Sequence, residues 1–276
     1  MTQPISRRAL LGSALAAPAV VLANDRTEAV SPATFVFVPG TWHGGWAWTP
    51  LCEALRARGH RAFAVTCTGV GERSHLLTPE VGLDTHITDV SQVIECEELN
   101  NVVLCGHSFG GLTITGVADA MQERIAQLVF YDAFIPTPER PAWIMRDASG
   151  AWPDAWQKAL AEDFIDGYKM NFFDNYPIEM LVPPEEFPDI VALLERRLTL
   201  HPAKQWMDPV SFDNGGWQNH HCSYVHCVGQ TYRQSSVAMY GPAREFDWPF
   251  VESPTPRVGM LTHTELTADI LESLLL

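Results

Sequence analysis

The chain has 276 residues, of which 46% are hydrophobic and 18% are charged, a composition typical of a globular protein with one sizeable core. Lysine and arginine together number 18, against 33 aspartates and glutamates, so the formal net charge is −15. Phosphate contacts need clustered basic side chains. So acidic a chain is therefore not expected to bind nucleic acid or an anionic membrane surface.

The first 23 residues have the pattern of an export signal. Arg7 and Arg8 precede an apolar stretch that is too short to span a bilayer comfortably, and the sequence around them resembles a twin-arginine signal. We expect cleavage after residue 23, a folded domain over 24–276, and a periplasmic or secreted protein without membrane contact once the signal is removed. The alternative is an N-terminal extension with no role in targeting.

Strand-like and helix-like segments alternate over the next part of the chain. Uniformly apolar runs predict strands buried on both faces, and helical spacing predicts helices. The predicted order is strand 34–40, helix 48–60, strand 61–67, helix 84–99, a strand in NVVLCGHS, helix 112–125 and strand 126–136. This order favours an α/β fold with a mostly parallel, doubly wound sheet covered by helices on both faces.

The alternation breaks between about residues 137 and 210, where proline and tryptophan are frequent and the helical pieces are short. We interpret this segment as a helical cap inserted into the fold. The sheet is expected to resume at 222–229 and 246–253, and the sequence TELTADILESLLL predicts a final helix.

Ser108 is the candidate nucleophile. It lies in CGHSFGG, a G-x-S-x-G motif that follows an apolar strand and precedes a helix, which is the context of a nucleophile elbow. Gly106 and Gly110 remove the Cβ atoms that would clash in so tight a turn. The alternative is a serine that only caps the helix.

Two backbone amides are needed to stabilise an oxyanion next to such a serine. Phe109, directly after the serine, is expected to supply one, and Thr41, in the loop PGTWHGGW after the first strand, the other. Trp42 and His43 in the same loop are candidate substrate-binding residues. Tryptophans in this loop and in the cap suggest an apolar pocket.

Five segments carry a resemblance to a known family: FVFVPGTWHGGWAW, TGVGERSHLL, VGLDTHITDV, GHSFGG and LVFYDAFIP. Together they resemble the α/β-hydrolase superfamily, and more narrowly the bacterial esterases related to plant methyl esterases and hydroxynitrile lyases. The resemblance covers Phe35 to Pro136 and, more weakly, the last eighty or so residues. It implies a serine hydrolase that forms an acyl-enzyme on Ser108 with a small or medium apolar ester, lactone or amide, without a cofactor. One departure is Pro39-Gly40, where the family usually has His-Gly.

Asp132 is the candidate catalytic acid. The order in this fold is serine, acid, histidine, and Asp132 ends a buried strand in VFYDAFIP, where relatives also carry aspartate. The later position for the acid offers only Gln230. The alternative for Asp132 is a strand-end carboxylate that bonds loop amides.

The histidine of the triad is missing from its usual position. Relatives carry Gly-His-Asp before a Met-Leu-Thr helix start, and an ungapped match to ESPTPRVGMLT puts Arg257 where the histidine should be. Arginine stays protonated and cannot act as a general base.

Three readings follow from this substitution. In the first, a rearranged loop brings His263 to Ser108 as the base, and this is the assignment adopted. In the second, Arg257 faces the pocket and pairs with Asp132 or a substrate carboxylate, and the chain is a non-hydrolytic enzyme (lyase, isomerase or cyclase) or a silent ligand-binding protein. In the third, His43 or His107 relays the proton.

The segment NHHCSYVHC (219–227) contains several histidines and cysteines, but their spacing fits no familiar zinc pattern, and side chains along a strand alternate between faces. No metal site is expected there. From its acidic charge and the resemblance to esterases, we expect the protein to bind a small-molecule substrate.

Overall fold

Strands of the fold follow the predicted order. They are β1 (Thr34–Val38), β2 (Arg61–Ala64), β3 (Val102–His107), β4 (Ile125–Tyr131), β5 (Lys169–Met170), β6 (His201–Pro202), β7 (His221–Cys227) and β8 (Phe250–Ser253). The computed structural model describes residues 31–229 and 236–276, so the predicted export signal and Gln230 lie outside the described residues.

Six of these strands form one sheet, in the order β2-β1-β3-β4-β7-β8, and every neighbouring pair in it is parallel. The predicted parallel sheet is confirmed. β5 and β6 pair antiparallel in a separate ribbon. Because all six strands of the sheet run the same way, the loops that follow β1, β3, β4, β7 and β8 meet at one edge.

Helices cover both faces of the sheet. The α-helices are α1 (Thr49–Ala57), α2 (Leu83–Cys96), α3 (Gly110–Ala120), α4 (Asp154–Lys158), α5 (Phe172–Asn175), α6 (Pro188–Arg197), α7 (Lys204–Met207), α8 (Ser236–Glu245), α9 (Gly259–Thr262) and α10 (Thr264–Ser273). None of the helices within the described ranges is long and apolar enough to cross a bilayer.

β1 illustrates why the strands are apolar throughout. Phe35 and Phe37 point into one core, together with α1 and α10, whereas Val36 and Val38 point into the other, with α2 and α3. All four side chains are fully buried. A strand buried on both faces cannot alternate apolar with polar residues, and the continuous apolar run in the sequence has this cause.

The predicted last strand, 246–253, is wrong in its first half. β8 begins only at Phe250, because the chain before it forms α8 and a turn in which the amide of Trp248 donates to the carbonyl of Ala243. Trp248 packs beside Phe130 and Trp217, so its burial comes from side-chain packing and not from strand pairing.

The segment between β4 and β7 contains four short α-helices, α4 to α7, and the β5–β6 ribbon. We use the name cap for residues 137–210. Two of its backbone hydrogen bonds tie distant parts of the cap together, from Ile144 N–H to Trp206 and from Val210 N–H to Pro141. The cap therefore has internal structure that holds its aromatic side chains in place.

Gly111 in α3 provides a test of the packing between this helix and the chain after β4. A Cβ at this position would overlap the carbonyl oxygen of Phe134. We expect Gly111→Ala to lower the free energy of unfolding by about 2 kcal/mol or more, measured by urea denaturation. Gly241→Ala in α8 is the control, because a Cβ there meets no described atom within 4 Å, and its effect should stay under about 1 kcal/mol. Equal effects of the two substitutions would contradict this packing.

Candidate active site

Ser108 lies in the turn between β3 and α3, and its backbone has a φ of 54°. A positive φ is uncommon for a residue with a side chain and marks local strain. The turn is also crowded, since a Cβ at Gly106 would come within 2.8 Å of the Gly110 carbonyl oxygen. These features support the predicted elbow, whose strain directs the serine away from the sheet.

Asp132 directly follows β4 and also has a positive φ, of 42°. Its Oδ1 atom accepts hydrogen bonds from the amide of Cys227 and from His226 Nδ1, each at 3.3 Å. Because an ionised carboxylate only accepts, the proton of His226 lies on Nδ1. The acid is thus held in place by the adjacent strand β7.

Arg257 joins these two residues. It lies between β8 and α9, its Nη1 donates to Asp132 Oδ2 at 2.5 Å, and its Nη2 donates to Ser108 Oγ at 2.7 Å. The residue is only 8% exposed. Since a guanidinium has no acceptor, the serine oxygen must accept this bond, and its own proton remains available for another acceptor. The arginine occupies the place between acid and nucleophile that a triad gives to its base.

The structure does not bring His263 to Ser108. The short helix α9 separates it from Arg257, and the His263 amide donates to the Gly259 carbonyl. Its ring packs against Phe187, and Nδ1 lies 2.9 Å from Thr262 Oγ1. The structure therefore places Arg257, and not His263, at Ser108, so the assignment of His263 as the base stays a prediction that these contacts do not support.

His43 and His107 are buried close to each other, with ring centroids 5.7 Å apart. Burial, and secondarily the charge of Arg257, lowers the pKa of both rings, that of His43 to about 4. His43 Nδ1 lies 2.9 Å from the Thr41 carbonyl, so it carries the proton. Neither ring makes a hydrogen bond to Ser108 among the described residues. Both imidazoles are neutral. The hypothesis that one of them relays the serine proton is not supported by any hydrogen bond to Ser108 among the described residues.

The two predicted oxyanion donors come from the two turns that adjoin Ser108 in the fold. Thr41 is in the loop after β1, and Phe109 follows the serine directly. Within the part of the chain that the structure describes, neither backbone amide has an acceptor. Amides left without acceptors next to a serine are suited to bind a negatively charged oxygen.

A small cavity of about 60 Å³ adjoins Ser108. Its wall is mostly aromatic, and its lining residues are Trp42, Ser108, Phe109, Trp143, Tyr176, Met180, Trp206, Met239 and Arg257. The Trp206 ring is stacked between Phe109, at 4.3 Å, and Trp156, at 5.7 Å. The predicted apolar pocket is present, and its small volume limits what fits beside the serine. His43 is not among its lining residues.

A second, more open cavity of about 650 Å³ lies in the cap. Segments 141–146 and 203–208 separate it from the serine, since Trp143 and Trp206 face inward while Ile144 and Met207 face this outer cavity. These two segments of the cap thus separate the small cavity beside Ser108 from the larger cavity.

His226 is the contact that sequence reasoning missed. The sequence around it was considered only for a metal site, yet it supplies a hydrogen bond to Asp132. β4 and β7 are neighbours, and both residues lie at the carboxyl ends of these strands. Because each residue comes at the end of a predicted strand, the sequence could have indicated that they meet at the same edge of the sheet. The described residues contain no group of three potential metal ligands, and Cys222 and Cys227 are free thiols.

Comparisons with known proteins point in one direction. A model described as the alpha/beta hydrolase family matches residues 35–261. A carbendazim hydrolyzing esterase from Nocardioides sp. is 43% identical over 160 residues, which are 58% of this chain and 64% of that protein, less than two thirds of its length. Methylesterase 8 from Arabidopsis thaliana is 26% identical over 230 residues, covering 79% and 81% of the two chains.

Among solved structures, an extracellular alpha/beta-hydrolase from a Paenibacillus species superposes with a TM-score of 0.70. Its sequence is 19% identical, and the match covers 88% of this chain and 98% of that one. At this identity the likeness concerns the fold. The sequence resemblance to bacterial esterases and plant methyl esterases is confirmed by the other two matches.

The buried histidines predict how stability depends on pH. Burial lowers the pKa of His43 and of His86 from 6.5 to about 4. Between these values the unfolded chain binds protons that the folded protein does not, so stability falls as the pH drops from 6.5 towards 4. Each histidine contributes a slope of up to about 1.4 kcal/mol per pH unit.

Urea unfolding at several pH values between 6.5 and 5 measures this slope before most carboxylates titrate. The matched control is His86→Gln, whose amide can still donate to the Thr68 carbonyl that His86 Nε2 bonds at 3.0 Å. This variant should lose one histidine's share of the slope. A flat profile for the unmodified protein over this range would show that the histidines are not buried as described.

Proposed function

Because the chain belongs to the alpha/beta hydrolase family, we propose that it hydrolyses small esters at Ser108, with Arg257 in place of the imidazole base. The observation that carries this proposal is the hydrogen bond of 2.7 Å from Arg257 Nη2 to Ser108 Oγ, with Asp132 behind the guanidinium at 2.5 Å. The names of the two sequence relatives, both esterases, support an ester as the substrate.

The step that differs from a histidine triad is the removal of the serine proton. Arg257 cannot accept it, so hydroxide from solvent takes it and becomes water. The guanidinium then stabilises the serine alkoxide through a charge-assisted hydrogen bond, worth about 1.5–3 kcal/mol. Ser108 is thus a nucleophile whose reactive fraction rises with pH.

The following steps use groups already near the serine. The alkoxide attacks the carbonyl carbon, and the oxygen of the tetrahedral intermediate accepts hydrogen bonds from the amides of Thr41 and Phe109. The bond to the leaving alcohol breaks, the alcohol departs as its anion, and an acyl group remains on Ser108. A second hydroxide attacks this acyl group, and the bond from the acyl carbon to Ser108 Oγ breaks. The proton that came with the hydroxide passes to the serine oxygen, so a carboxylate leaves and the hydroxyl of Ser108 is regenerated.

The absence of an imidazolium in this scheme limits the substrates. A protonated histidine normally gives its proton to the leaving group, whereas Arg257, held by Asp132, keeps its protons. Esters whose alcohols leave readily as anions are therefore the expected substrates, and amides are the poorest of the predicted classes. The cavity of about 60 Å³ favours a short acyl group beside Ser108.

A second candidate function rests on the same hydrogen bond. Several polar groups around Ser108 can donate a hydrogen bond, namely its own hydroxyl, the amides of Thr41 and Phe109, and Arg257. A site made of donors binds a carbonyl or carboxylate oxygen without attacking it. A lyase, isomerase or cyclase reaction, or ligand binding alone, is the corresponding alternative. In either case the partner is a small molecule, and the proposed periplasmic or secreted location rests on residues 1–23 of the sequence alone.

The leaving group provides one test. We expect the rate ratio of p-nitrophenyl acetate to ethyl acetate to be larger for this protein than for a histidine-triad esterase. The reason is that no group here protonates the ethoxide leaving group. The measurement is kcat/KM for the two esters, each corrected with Ser108→Ala. A ratio equal to that of the triad enzyme would show that an acid reaches the leaving group.

Arg257→His provides the second test, since it restores an imidazole between Asp132 and Ser108. We expect kcat/KM for p-nitrophenyl acetate at pH 7 to rise about a hundredfold or more, the usual contribution of a general base. Arg257→Met, which keeps an unbranched apolar side chain but removes the guanidinium and its charge, should lower the rate about tenfold or more.

Ser108→Ala in each background serves as the control for hydrolysis elsewhere on the protein, and circular dichroism reports folding. Wild-type hydrolysis that survives Ser108→Ala, or an Arg257→Met variant at least as active as the wild type, would overturn the proposal. A wild type that binds the ester without hydrolysing it, beside an active Arg257→His variant, would instead support the second candidate.

A further inference from the structure

Trp42 connects the predicted oxyanion loop to the cap. Its amide lies 3.2 Å from His201 Nδ1, its carbonyl accepts from the amide of Thr199 at 3.1 Å, and its indole N–H donates to the carbonyl of Met170 at 3.0 Å. All three hydrogen-bonding groups of Trp42 are therefore satisfied by residues of the cap. The position of Trp42 therefore depends on the cap and not on the loop alone.

The backbone of Trp42 needs this support. Its φ is 68°, a conformation that costs a residue with a side chain about 1–3 kcal/mol and persists only where the surroundings enforce it. Trp42 is 4% exposed, and its ring contacts Phe172, Tyr176 and Trp206. The strain lies one residue after Thr41, whose amide is the second predicted oxyanion donor.

The peptide group that joins Thr41 to Trp42 is held by a histidine at each end. His43 Nδ1–H donates to its carbonyl oxygen at 2.9 Å, and His201 Nδ1 accepts its N–H at 3.2 Å. This peptide shares the Cα atom of Thr41 with the peptide that carries the Thr41 amide, so holding it restricts ψ of Thr41 and φ of Trp42. Either histidine can hold it, but only His201 comes from the cap.

His201 has one protonation state that fits its contacts. Nδ1 must present a lone pair to the Trp42 amide, so the proton lies on Nε2, which is 2.6 Å from Gln205 Oε1. The ring is 2% exposed. Burial, which is the main cause, and the neighbouring His86 keep the pKa of His201 well below its usual range, so that it stays neutral at pH 7.

We propose that His201 is a positioning residue, which holds the peptide between Thr41 and Trp42 so that the Thr41 amide faces the oxyanion formed at Ser108. The cap thus takes part in the reaction through one acceptor atom, His201 Nδ1, without contacting the substrate there. This inference rests on the proposed function, because the oxyanion exists only if Ser108 attacks a carbonyl.

A matched pair of substitutions tests the acceptor atom. Asparagine and leucine have nearly the same shape, but only asparagine can place an oxygen near the position of Nδ1 and accept the Trp42 amide. We expect His201→Leu to lower kcat for p-nitrophenyl acetate about tenfold to a hundredfold, with KM changed less than about threefold, since the loss concerns the transition state. His201→Asn should recover most of this loss. Equal kcat values for the two variants would overturn the proposal.

The same pair in the Arg257→His background separates this inference from the proposed function. If that background hydrolyses esters and both His201 variants keep its kcat, the positioning role is wrong while the serine chemistry stands. If no background shows hydrolysis that depends on Ser108, the proposed function fails. Crystal structures of the two His201 variants then test the positioning role by themselves. A positive φ at Trp42 in the asparagine variant and a different φ in the leucine variant would support the role, and an unchanged φ in both would exclude it.

Discussion

The buried ion pair between Arg257 and Asp132 determines where the guanidinium lies relative to Ser108. The side chains of the two residues are only 10% and 9% exposed, and removing either partner would leave the other charge uncompensated at a cost of about 3–5 kcal/mol. Asp132 is fixed in turn by the amide of Cys227 and by His226. The guanidinium therefore has little freedom, and its second nitrogen stays on Ser108 Oγ.

In the proposed mechanism, this arrangement changes how the serine at the elbow loses its proton. The elbow at Ser108, the amides of Thr41 and Phe109, and the aromatic cavity are what an esterase needs to bind a carbonyl group. Only the proton acceptor differs. A guanidinium favours the alkoxide once it has formed, whereas an imidazole also removes the proton, so the same scaffold should work with hydroxide as the base. The charge of Arg257 also adds to burial in keeping His43 and His107 neutral.

The cap closes this site and organises it. Trp206, stacked on Phe109, covers the cavity, and Trp42 binds the cap through all three of its hydrogen-bonding groups. Opening the cap would therefore expose the cavity and also release the strained loop beside Thr41. On the proposed function, the contacts of Trp42 would thus link the position of the cap to the oxyanion site.

Much of the fold was predictable because its signals are local. The buried strands β1, β3 and β4 follow from continuous apolar runs, and the place of Ser108 follows from glycines beside it in the sequence. The contacts of His226 and His201 were not predictable in this way, because their partners lie 94 and 159 residues away and each bond depends on the packing of two elements. The position of His263 was not predictable either, because it depends on the short helix α9, which the sequence analysis did not separate from the final helix.

The pH dependence of Ser108 modification by a fluorophosphonate is the most direct measurement of the central claim, that a guanidinium and not an imidazole activates this serine. The labelling rate, followed by intact mass with Ser108→Ala as the blank, should rise in proportion to hydroxide between pH 6 and 9 without a plateau. A rate that levels off near pH 7 would reveal an imidazole acting as the base, and an absence of labelling over the whole range would show that Ser108 is not a nucleophile.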